Sequence, residues 1–481
     1  MERLFEIDLK DYKETDKVFK RPSARAIILL QDKIALVYSK KEKYFKFPGG
    51  GIHADEDKKE ALIREVREEV GMVVIPDSIR EFGSVLRRQK GNVDEDTMFE
   101  QENFYYLCDV EDEILSQELD EYEDEAGFEL RIVTIDEAMA VNAAYETEDA
   151  FNRVMIKREL RVLGLIKDAV DAEKALYSDI ASASEWESVK PVTKGWSYDK
   201  KFLIKTGRGE RLLLRVSDID RYDDKKKEYE IITKYAALGI PMSEPREFGT
   251  CNGGKSVYML LSWVDGEDLE SVLPGLSEKE QYMLGRQAGE ILKKIHSIPV
   301  DAEDRPKGTK KERKLMQLSK YEESALRISG DEVAVQYVKD NIDKIWSVPA
   351  VYQHGDFHPG NLIYRADGSI GVIDFNRWEV GDPYEEFYKL ESFGTEVSVP
   401  YCIGQIDAYF DDNIPENFWV VNAVYVAHAS LFSIKWAEQF GQKDIDGMVR
   451  RARQAFEDFN EFKTCVPKWY TNKFEKNMKR W

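Results

Sequence analysis

Three glutamates near residue 65 have the types and spacing of a site for a divalent cation. The segment Lys58–Val70 has the apolar periodicity of a helix, and Gly71 follows where a helix end favours a left-handed residue. At about 100° per residue, Glu65, Glu68 and Glu69 fall on one face of that helix. Carboxylates three and four residues apart repel one another, and a divalent cation would remove that repulsion and gain oxygen ligands. Charges alone would equally fit an ordinary solvated face.

The wider spacing decides between these two interpretations. Gly50 is followed after five residues by Glu56, and after seven more by the run REVREEVGM, which begins at Arg64. The whole pattern resembles the Nudix hydrolase box at every defined position, and the resemblance covers about residues 20–165. It implies that Arg64 pairs with Glu56 and so holds the glycine loop against the helix.

The Nudix resemblance implies hydrolysis of a nucleoside diphosphate linked to another group. It makes Glu65, Glu68 and Glu69 ligands of Mg²⁺ or Mn²⁺, with Glu68 and Glu69 as the catalytic residues, one of them also serving as base. A metal cluster would neutralise the diphosphate and activate water for attack on phosphorus. Glu100 and Glu102 are both candidates for a further assisting acid. A catalytically idle Nudix fold used as a binding module is the alternative, and the intact carboxylates disfavour it.

A second group of residues with chemical potential lies between His354 and Asp382. The piece HGDFHPGN places Asp356 and Asn361 on one loop, and a hairpin then leads to Asp374 at the end of a strand. Phosphoryl transfer needs an acid near the acceptor hydroxyl, together with an amide and a second carboxylate that hold Mg²⁺ on the phosphates. An isolated His-Pro-Gly loop would be a structural turn, but the combined spacing disfavours that interpretation.

This segment resembles the catalytic core of aminoglycoside phosphotransferases and related small-molecule kinases, which share the protein-kinase architecture. The resemblance spans about residues 183–481. It implies that Asp356 is the catalytic base or orients the acceptor, and that Asn361 and Asp374 are Mg²⁺ ligands. The two histidines of the loop are expected to be structural.

The upstream half fits a lobe that binds the phosphates of ATP or GTP. A glycine-containing turn that ends near Ser197 could cradle phosphate through its backbone N–H groups and the serine hydroxyl. In kinases the phosphate-holding lysine lies on the second strand after this turn. In this chain that strand is Arg211–Val216, and the corresponding residue is Arg215. Either Arg215 holds the phosphates or Lys201, on the preceding strand, reaches in. Glu228 is the expected acidic partner of that cation, with Glu230 as a second candidate.

The remaining expected sites are those for the purine and for the acceptor. Backbone groups around Ser262 and Val264 match the hinge between kinase lobes and are expected to bind the purine. Four acidic residues that follow Asp374 are expected near the acceptor cleft: Glu379, Asp382, Glu385 and Glu386. Acidic walls attract cations, which favours an amino-sugar of the aminoglycoside type. Choline-like compounds, macrolides and sugars are the alternatives.

These elements predict an α/β protein of two domains, since 481 residues exceed the ~100–200 typical of one. The first is expected to be a Nudix α/β/α sandwich, and the second a bilobal protein-kinase-like fold with a β-rich N-lobe and a mostly helical C-lobe. The predicted parts are 1–165 for the Nudix domain, 166–182 for a helical linker, 183–264 for the nucleotide-binding N-lobe and 265–481 for the C-lobe with the catalytic loop and acceptor site.

Composition excludes some classes of protein. With 70 Lys and Arg against 92 Asp and Glu, the net charge of −22 disfavours a nucleic-acid surface. Four widely spaced cysteines lack metal-binding spacing and predict free thiols in a reducing compartment. The apolar stretch Phe418–Ile434 is short for a membrane span and predicts a buried core helix. A cytoplasmic protein without membrane partners is expected, and the sequence leaves its oligomeric state open.

Two hypotheses for the whole protein follow. In the first, both sites work, and the chain is a Mg²⁺-dependent Nudix hydrolase joined to a small-molecule phosphotransferase, with small acceptors and nucleotides as its partners. In the second, the Nudix domain senses a nucleotide and regulates the kinase. A protein kinase is disfavoured because no Ala-Pro-Glu-like segment follows Asp374.

Overall fold

The chain folds into two units, Met1–Asp179 and Ile180–Trp481. The computed structural model describes residues 1–13, 17–91, 96–192 and 199–472. The predicted helical linker, 166–182, overlaps the end of a long helix, Ala150–Ala175, which belongs to the first unit.

The first unit contains a mixed β-sheet covered by helices. Its strands are β1 (Arg3–Asp8), β2 (Lys17–Lys20), β3 (Ser23–Leu30), β4 (Lys33–Ser39), β5 (Phe45–Lys46), β6 (Gly49–Gly51), β7 (Met72–Val74), β8 (Arg80–Lys90), β9 (Thr97–Leu107), β10 (Val110–Ile114) and β11 (Phe128–Thr134). Its helices are α1 (Lys58–Val70), α2 (Glu121–Ala126), α3 (Ile135–Ala143) and α4 (Ala150–Ala175). The main sheet runs β1-β8-β9-β3-β4-β11, with β2 beside β9, β5 beside β4 and β6 beside β3.

Side-chain alternation in the sheet separates two apolar cores. Along β3, Ala26 and Ile28 pack on the side of Leu62 from α1, whereas Ile27 packs with Val162 from α4 on the other side. Because successive strand residues point to opposite faces, an apolar strand such as β3 must be covered on both. The predicted α/β/α sandwich is confirmed.

Helix α1 begins and ends at clear sequence signals. The Asp57 carboxylate accepts a hydrogen bond from the N–H of Lys59, and Asp57 and Glu60 form a capping box. Gly71 ends the helix with φ of 69°, a left-handed conformation in which glycine avoids strain. These caps fix the two ends of α1. The N-terminal cap places the start of the helix next to the glycine-rich strand β6, so the glutamates of α1 lie near the glycine loop.

The second unit begins with a five-stranded antiparallel sheet and continues as a mostly helical region. Its strands are β12 (Trp186–Pro191), β13 (Lys200–Thr206), β14 (Arg211–Asp218), β15 (Pro245–Cys251), β16 (Ser256–Ser262), β17 (Glu267–Asp268), β18 (Val351–Gln353), β19 (Leu362–Tyr364), β20 (Ile370–Val372) and β21 (Glu379–Gly381). Its helices are α5 (Tyr222–Ala236), α6 (Leu269–Val272), α7 (Glu278–His296), α8 (Lys311–Glu322), α9 (Glu332–Asn341), α10 (Val399–Tyr409), α11 (Glu416–Ala437), α12 (Gln442–Asp458) and α13 (Lys468–Thr471).

The sheet order β12-β13-β14-β16-β15, with α5 between β14 and β15 in the chain, is the β-rich lobe that the sequence predicts. The three-stranded sheet β17-β19-β20 and the pair β18-β21 then flank the loop that carries Asp356. The bilobal kinase-like architecture of the second unit is thereby confirmed, because a sheet with one helix precedes a larger helical part.

The predicted core helix is α11. Within the described ranges, Glu416–Phe440 is the one helical stretch long and apolar enough to cross a membrane, and 72% of its most apolar window is buried inside the unit. Apolar residues surround the helix on all sides, and Val424 and Leu431 are 1% and 0% exposed. Such all-round burial is typical of the central helix of a large core, and the prediction is confirmed.

Candidate active sites

Arg64 organises the first site. Its guanidinium donates from Nε to Glu56 Oε1 at 2.8 Å and from Nη2 to Glu56 Oε2 at 3.0 Å. It also donates to the carbonyl of Gly51 at 3.2 Å, so the loop and the helix are joined through one side chain. The hydrogen bonds from Arg64 lower the pKa of Glu56 to about 2 despite partial burial. The pairing implied for Arg64 and Glu56 is therefore present.

The same guanidinium holds two of the three box glutamates. Arg64 Nη1 lies 2.8 Å from Glu65 Oε1 and 3.0 Å from Glu68 Oε2. Burial raises the pKa of Glu65, which the Arg64 contacts offset in part. A Cβ on Gly50 would lie 2.2 Å from Glu65 Oε2, so only glycine leaves room for this carboxylate. Glu65 and Glu68 thus form a pair of oxygen donors beside the glycine loop.

Glu69 has a different environment from the other two. Its side chain is 1% exposed; Oε1 lies 2.6 Å from Lys46 Nζ, and Oε2 accepts the N–H of Gly49 at 2.8 Å. Burial raises the pKa of Glu69 to about 7, against the lowering effect of Lys46. The sequence places the three glutamates on one face of the helix, but their side chains have different partners. Glu69 points inward to protein donors, whereas Glu65 and Glu68 contact Arg64. Lys46 is a site residue that sequence reasoning missed; its only signal is a lysine within the apolar run before Pro48.

The two candidates for an assisting acid are both in ion pairs on β9. Glu100 Oε2 accepts from Arg88 Nε at 2.8 Å, and this bond lowers the pKa of Glu100. Glu102 Oε1 lies 3.1 Å from both Arg3 Nη2 and the hydroxyl of Ser84. Two residues apart on one strand, they share a face of the sheet, and neither is selected over the other by its contacts.

An oxygen-only donor set such as Glu65 and Glu68 fits a hard divalent cation, either Mg²⁺ or Mn²⁺. The Glu68 side chain is about one-third exposed, which leaves it accessible to a ligand. Glu69 would join them only by giving up its bond to Lys46. The residues of this site are thus compatible with the metal that the box implies.

In the second site, Glu386 holds the start of the loop that carries Asp356 and Asn361. Its two carboxylate oxygens accept the backbone N–H groups of His354 at 2.9 Å and Gly355 at 2.6 Å. Gly355 has φ of 80°, and a Cβ there would lie 1.8 Å from the carbonyl oxygen of Arg377. Two structural requirements therefore fix the backbone just before Asp356: a buried acceptor and a glycine.

The loop histidines have structural contacts. His354 is fully buried, with Nε2 3.0 Å from the carbonyl oxygen of Ile373 and Nδ1 accepting the N–H of Asp356 at 3.2 Å. His358 Nδ1 accepts the N–H of Gly360 at 3.2 Å, and burial lowers the pKa of His358 to about 4. Neutral rings that link backbone groups in this way brace a loop.

Asn361 and Asp374 lie at the two ends of the hairpin β19–β20. The Asn361 side-chain nitrogen donates to the backbone carbonyl oxygen of Asp356 at 2.9 Å. The backbone carbonyl of Asn361 accepts the N–H of Ile373 at 3.1 Å. Asp374 has a left-handed backbone with φ of 62°. Since the Asn361 amide nitrogen is bonded within the loop, its side-chain oxygen is the atom suited to a cation, and Asp374 supplies a carboxylate.

Asp356 lies next to two cations. Lys389 Nζ lies 2.6 Å from Oδ1 and Arg377 Nε lies 3.5 Å from Oδ2, while the neutral His358 ring places Nε2 3.7 Å from Oδ1. Burial alone would raise the pKa of Asp356, but Lys389, first among its neighbours, outweighs burial and holds that pKa well below its usual range. Sequence reasoning missed Lys389, because no local spacing connects it with the loop.

On the nucleotide side, Arg215 and Lys201 have separate partners. Arg215 is 3% exposed and donates to Asp199 at 2.5 and 3.0 Å and to Glu228 at 2.5 Å. Lys225 completes this network, with Nζ 2.7 Å from Asp199 and 3.0 Å from Glu228. Lys201 Nζ instead lies 3.6 Å from Asp374 Oδ2.

The expected partnership of Glu228 with the cation on β14 is present, and its alternative Glu230 lies on the exposed side, 4.0 Å from Lys227. Asp199 and Lys225 are additions that the sequence did not suggest. Ser197 lies outside the described residues.

The hinge residues differ in how their backbones are used. The N–H of Ser262 donates to the carbonyl of Glu244 at 2.8 Å, and the N–H of Trp263 donates to the carbonyl of Arg211 at 3.0 Å. Among the residues that the structure describes, none forms a hydrogen bond with the backbone of Val264. Val264 is therefore the hinge position with backbone groups available for a purine.

The four carboxylates expected at the acceptor cleft are engaged inside the unit. Glu379 lies 2.6 Å from Lys310 Nζ, and Glu385 pairs with Lys314. Asp382 is fully buried and accepts from the N–H of Trp346 and Tyr384 and from the hydroxyl of Tyr425, at 2.6, 3.0 and 2.9 Å. Glu386 holds the catalytic loop, as described above. Because their charges are satisfied by these partners, they do not form a wall that attracts a cationic acceptor.

Comparison with known families matches both halves of the chain. Residues 19–157 match the family described as the NUDIX domain, and residues 188–417 match the family described as the phosphotransferase enzyme family. No curated protein matches the chain.

Several solved structures align with the chain. The GDP complex of wild-type aminoglycoside 2'-phosphotransferase-IIIa is 15% identical, with 60% of this chain and 97% of that chain covered and a TM-score of 0.46. The gentamicin–APH(2")-IIa complex is 17% identical, with coverage of 60% and 97% and a TM-score of 0.45. The amicoumacin kinase hAmiN in complex with AMP-PNP, Ca²⁺ and Ami is 13% identical, with coverage of 63% and 96% and a TM-score of 0.45.

Proposed function

We propose that this chain, which joins a NUDIX hydrolase domain to a domain of the phosphotransferase enzyme family, is a bifunctional enzyme. One site would cleave a nucleoside diphosphate linked to another group, and the other would transfer the γ-phosphoryl group of ATP or GTP to a hydroxyl of a small molecule. The observation that carries the second activity is the hydrogen-bonded unit of Asp356, Asn361 and Ile373, the residue directly before Asp374.

In the phosphotransferase reaction, the acceptor oxygen forms a bond with the γ-phosphorus while the bond from that phosphorus to the bridging oxygen breaks. ADP or GDP leaves with the bridging oxygen, and the hydroxyl proton passes to Asp356 or to solvent. Because Lys389 and its neighbours keep the pKa of Asp356 low, this carboxylate is a weak base. Its main task is to orient the hydroxyl, which suits a loose transition state in which the proton leaves late.

Mg²⁺ would be held by the side-chain oxygen of Asn361 and the carboxylate of Asp374, both of which are hard oxygen donors. When bound, it neutralises charge on the phosphates. Lys201 lies on β13, and its Nζ is 3.6 Å from Asp374 Oδ2. From this position Lys201 would hold the phosphates. Val264 would bind the purine through its backbone, with Ser262 beside it.

The acceptor is a small hydroxyl compound. An aminoglycoside-type amino-sugar is the first class to test, because the segment from His354 to Asp374 resembles the catalytic core of aminoglycoside phosphotransferases and lies within the match to the phosphotransferase enzyme family. Macrolides, choline-like compounds and sugars are the alternatives. The charge argument for an amino-sugar is weakened, since Glu379, Asp382 and Glu385 are bonded within the unit.

In the hydrolase reaction, water would attack one phosphorus of the diphosphate, and the bond from that phosphorus to the bridging oxygen would break. Arg64 keeps Glu65 and Glu68 together beside the glycine loop, where they would hold Mg²⁺ or Mn²⁺. When bound, the metal supplies charge neutralisation and activates water. Glu68 is the more accessible of these two carboxylates, and we propose that it takes part directly in the reaction.

One observation favours a regulatory alternative for the first domain. Glu69 is already satisfied by Lys46 and the N–H of Gly49, which competes with its use as a metal ligand. A domain that binds a nucleotide without hydrolysing it would tolerate this arrangement. Under that alternative, the small-molecule kinase is the only enzyme, and the first domain senses a nucleotide.

Product analysis by mass spectrometry tests both halves. The full chain with Mg²⁺ and ATP or GTP would be given aminoglycosides, macrolides, amino-alcohols and sugars, alongside Asp356→Asn. Gain of one phosphate by an acceptor, lost in that variant, supports the kinase. ADP-ribose and nucleotide sugars would be offered to the wild type and Glu68→Gln. Cleavage lost in Glu68→Gln supports hydrolysis, and absence of any cleavage with retained nucleotide binding supports the sensor.

A further inference from the structure

Lys389 is a buried amine directly bonded to the proposed acceptor-orienting carboxylate. Its side chain is 5% exposed, and Nζ lies 2.6 Å from Asp356 Oδ1. The rings of Tyr388 and Phe393 lie 5.0 and 5.3 Å from the same ammonium group, and Phe393 also stacks on His358 of the catalytic loop, with centroids 4.9 Å apart. The ammonium group is therefore enclosed by aromatic rings on the side of the loop.

Stability alone does not account for this pair. Desolvation makes a buried ion pair costly, and apolar side chains of similar volume often serve the fold as well or better. Lys389 lies between Phe387 and Leu390 of the apolar core, where an uncharged pair in place of Lys389 and Asp356 would avoid the cost of desolvating two charges. What an apolar residue would not do is fix the direction and balance the charge of Asp356.

The two oxygens of Asp356 are treated differently by the protein. Oδ1 takes the short contact with Lys389, whereas Oδ2 is 3.5 Å from Arg377 Nε, longer than a good hydrogen bond. Arg377 is also nearly half exposed, so it holds Oδ2 less firmly than the buried Lys389 holds Oδ1. The oxygen left for an acceptor hydroxyl is therefore Oδ2.

We propose that Lys389 is a positioning residue of the phosphotransferase reaction, which holds Asp356 by Oδ1 so that Oδ2 faces the acceptor hydroxyl. This inference rests on the proposed phosphotransferase function. Lys389 does not touch the reacting atoms. It acts through Asp356, so its loss slows turnover and leaves nucleotide binding unchanged.

The test measures nucleotide turnover by the full chain with water as the acceptor. With Mg²⁺ and ATP or GTP, formation of ADP or GDP together with phosphate is followed, and a Glu68→Gln background excludes the hydrolase site. Lys389→Met, Lys389→Arg, Asp356→Asn and the combination of Lys389→Met with Asp356→Asn are compared. Lys310→Met is the matched control, since it removes the lysine of another 2.6 Å ion pair, made with Glu379 and not with Asp356.

We expect Lys389→Met to lower kcat about 10- to 100-fold, which is the order of loss when a group that orients a reactant is misplaced by about 1 Å. The KM for nucleotide should change by less than about twofold, and Lys389→Arg should recover most of the rate, because it keeps the charge. The combined variant should be no slower than Asp356→Asn alone, as residues that act as a unit are not additive. Lys310→Met should turn over at the wild-type rate.

A wild-type kcat in Lys389→Met, or a loss that multiplies with that of Asp356→Asn, overturns the inference. An equal loss in Lys310→Met does so too, because it would trace the effect to general destabilisation. If Lys389→Met fails to fold, the charge-neutral combination with Asp356→Asn and the Lys389→Arg variant provide the comparison. A wild-type protein that forms neither ADP nor GDP with any acceptor refutes the proposed phosphotransferase itself, which distinguishes that failure from a failure at Lys389.

Discussion

Lys201 and Arg215 lie directly opposite each other on the antiparallel strands β13 and β14, yet their side chains serve different partners. Arg215 is locked between Asp199 and Glu228, whereas Lys201 extends to Asp374. Directly opposed residues point to the same face of a sheet, so either could in principle reach the nucleotide. Of these two cations, Lys201 is therefore the one that we propose holds the phosphates.

Replacing Lys201 by Met should weaken binding of Mg²⁺–ADP and Mg²⁺–ATP by about 10- to 100-fold, since a charge-assisted contact is lost. Isothermal titration calorimetry measures the affinity without any acceptor. Lys205→Met on the same strand is the control, because Lys205 pairs with Glu187 at 3.0 Å on the surface.

A rescue variant makes the assignment sharper. Lys201→Ala combined with Arg215→Lys moves the lysine to the neighbouring strand, while Lys225 still bridges Asp199 and Glu228. Partial recovery of nucleotide affinity over Lys201→Ala alone is expected. If Lys201→Met binds nucleotide as the wild type does, the phosphates are held elsewhere.

Glu386 should matter for turnover more than its neighbour Glu385, although both are buried carboxylates. Glu386→Gln turns an amide nitrogen toward the N–H groups of His354 and Gly355, at a cost of about 1–3 kcal/mol. The loop that carries Asp356 then shifts, and kcat should fall at least about tenfold. Glu385→Gln, which breaks the pair with Lys314, should destabilise the unit with little change in kcat. Similar kcat losses in both variants would assign the effect to stability.

Glu68→Gln should lower diphosphatase activity by at least about 100-fold while phosphoryl transfer continues. The variant removes a charged oxygen donor beside Glu65 but keeps the helix, because glutamine has a similar helix propensity. Release of nucleoside monophosphate from ADP-ribose is the measurement. Glu118→Gln, which breaks an exposed pair with Arg67, serves as the control. Unchanged hydrolysis by the Glu68→Gln variant would show that Glu68 does not take part in the reaction.

The stability of the second unit should fall as pH rises from about 5 to 8, owing to Glu391. Burial and the nearby Asp458 carboxyl raise the pKa of Glu391 to about 8, and its Oε2 accepts from Trp469 Nε1 at 2.8 Å. In the unfolded chain the pKa is near its ordinary value of about 4.5, so the folded state alone keeps the proton in this window. The stabilisation is complete below pH 4.5 and is lost as pH approaches the folded value, by up to about 1.4 kcal/mol per pH unit.

Glu391→Gln checks that dependence, since glutamine keeps an acceptor for Trp469 and cannot ionise. Urea unfolding at several pH values should give a flatter profile and greater stability near pH 8 for this variant. Parallel profiles for wild type and variant would show that Glu391 is ionised in the folded protein.

Local sequence determined much of both sites. The helix α1, its caps and the Arg64–Glu56 pair follow from residues within about two turns of helix or one loop, where spacing alone dictates proximity. The same holds for Asp356 and Asn361, five residues apart on one loop. The two-domain α/β class was also predictable, because each domain has its own continuous segment and its own periodicity.

Tertiary structure alone decided the electrostatics of these sites. Lys46 reaches Glu69, Lys389 reaches Asp356 and Glu386 reaches the loop at Gly355 across many intervening residues. No local sequence pattern predicts these contacts, because the two residues of each pair lie on different elements. The packing of the core determines how those elements meet. The acidic residues after Asp374 illustrate the same point, because their sequence suggests a charged wall. In the structure, Asp382, Glu385 and Glu386 are buried against protein donors, and Glu379, one-third exposed, is paired with Lys310. An unpaired buried charge would be too costly.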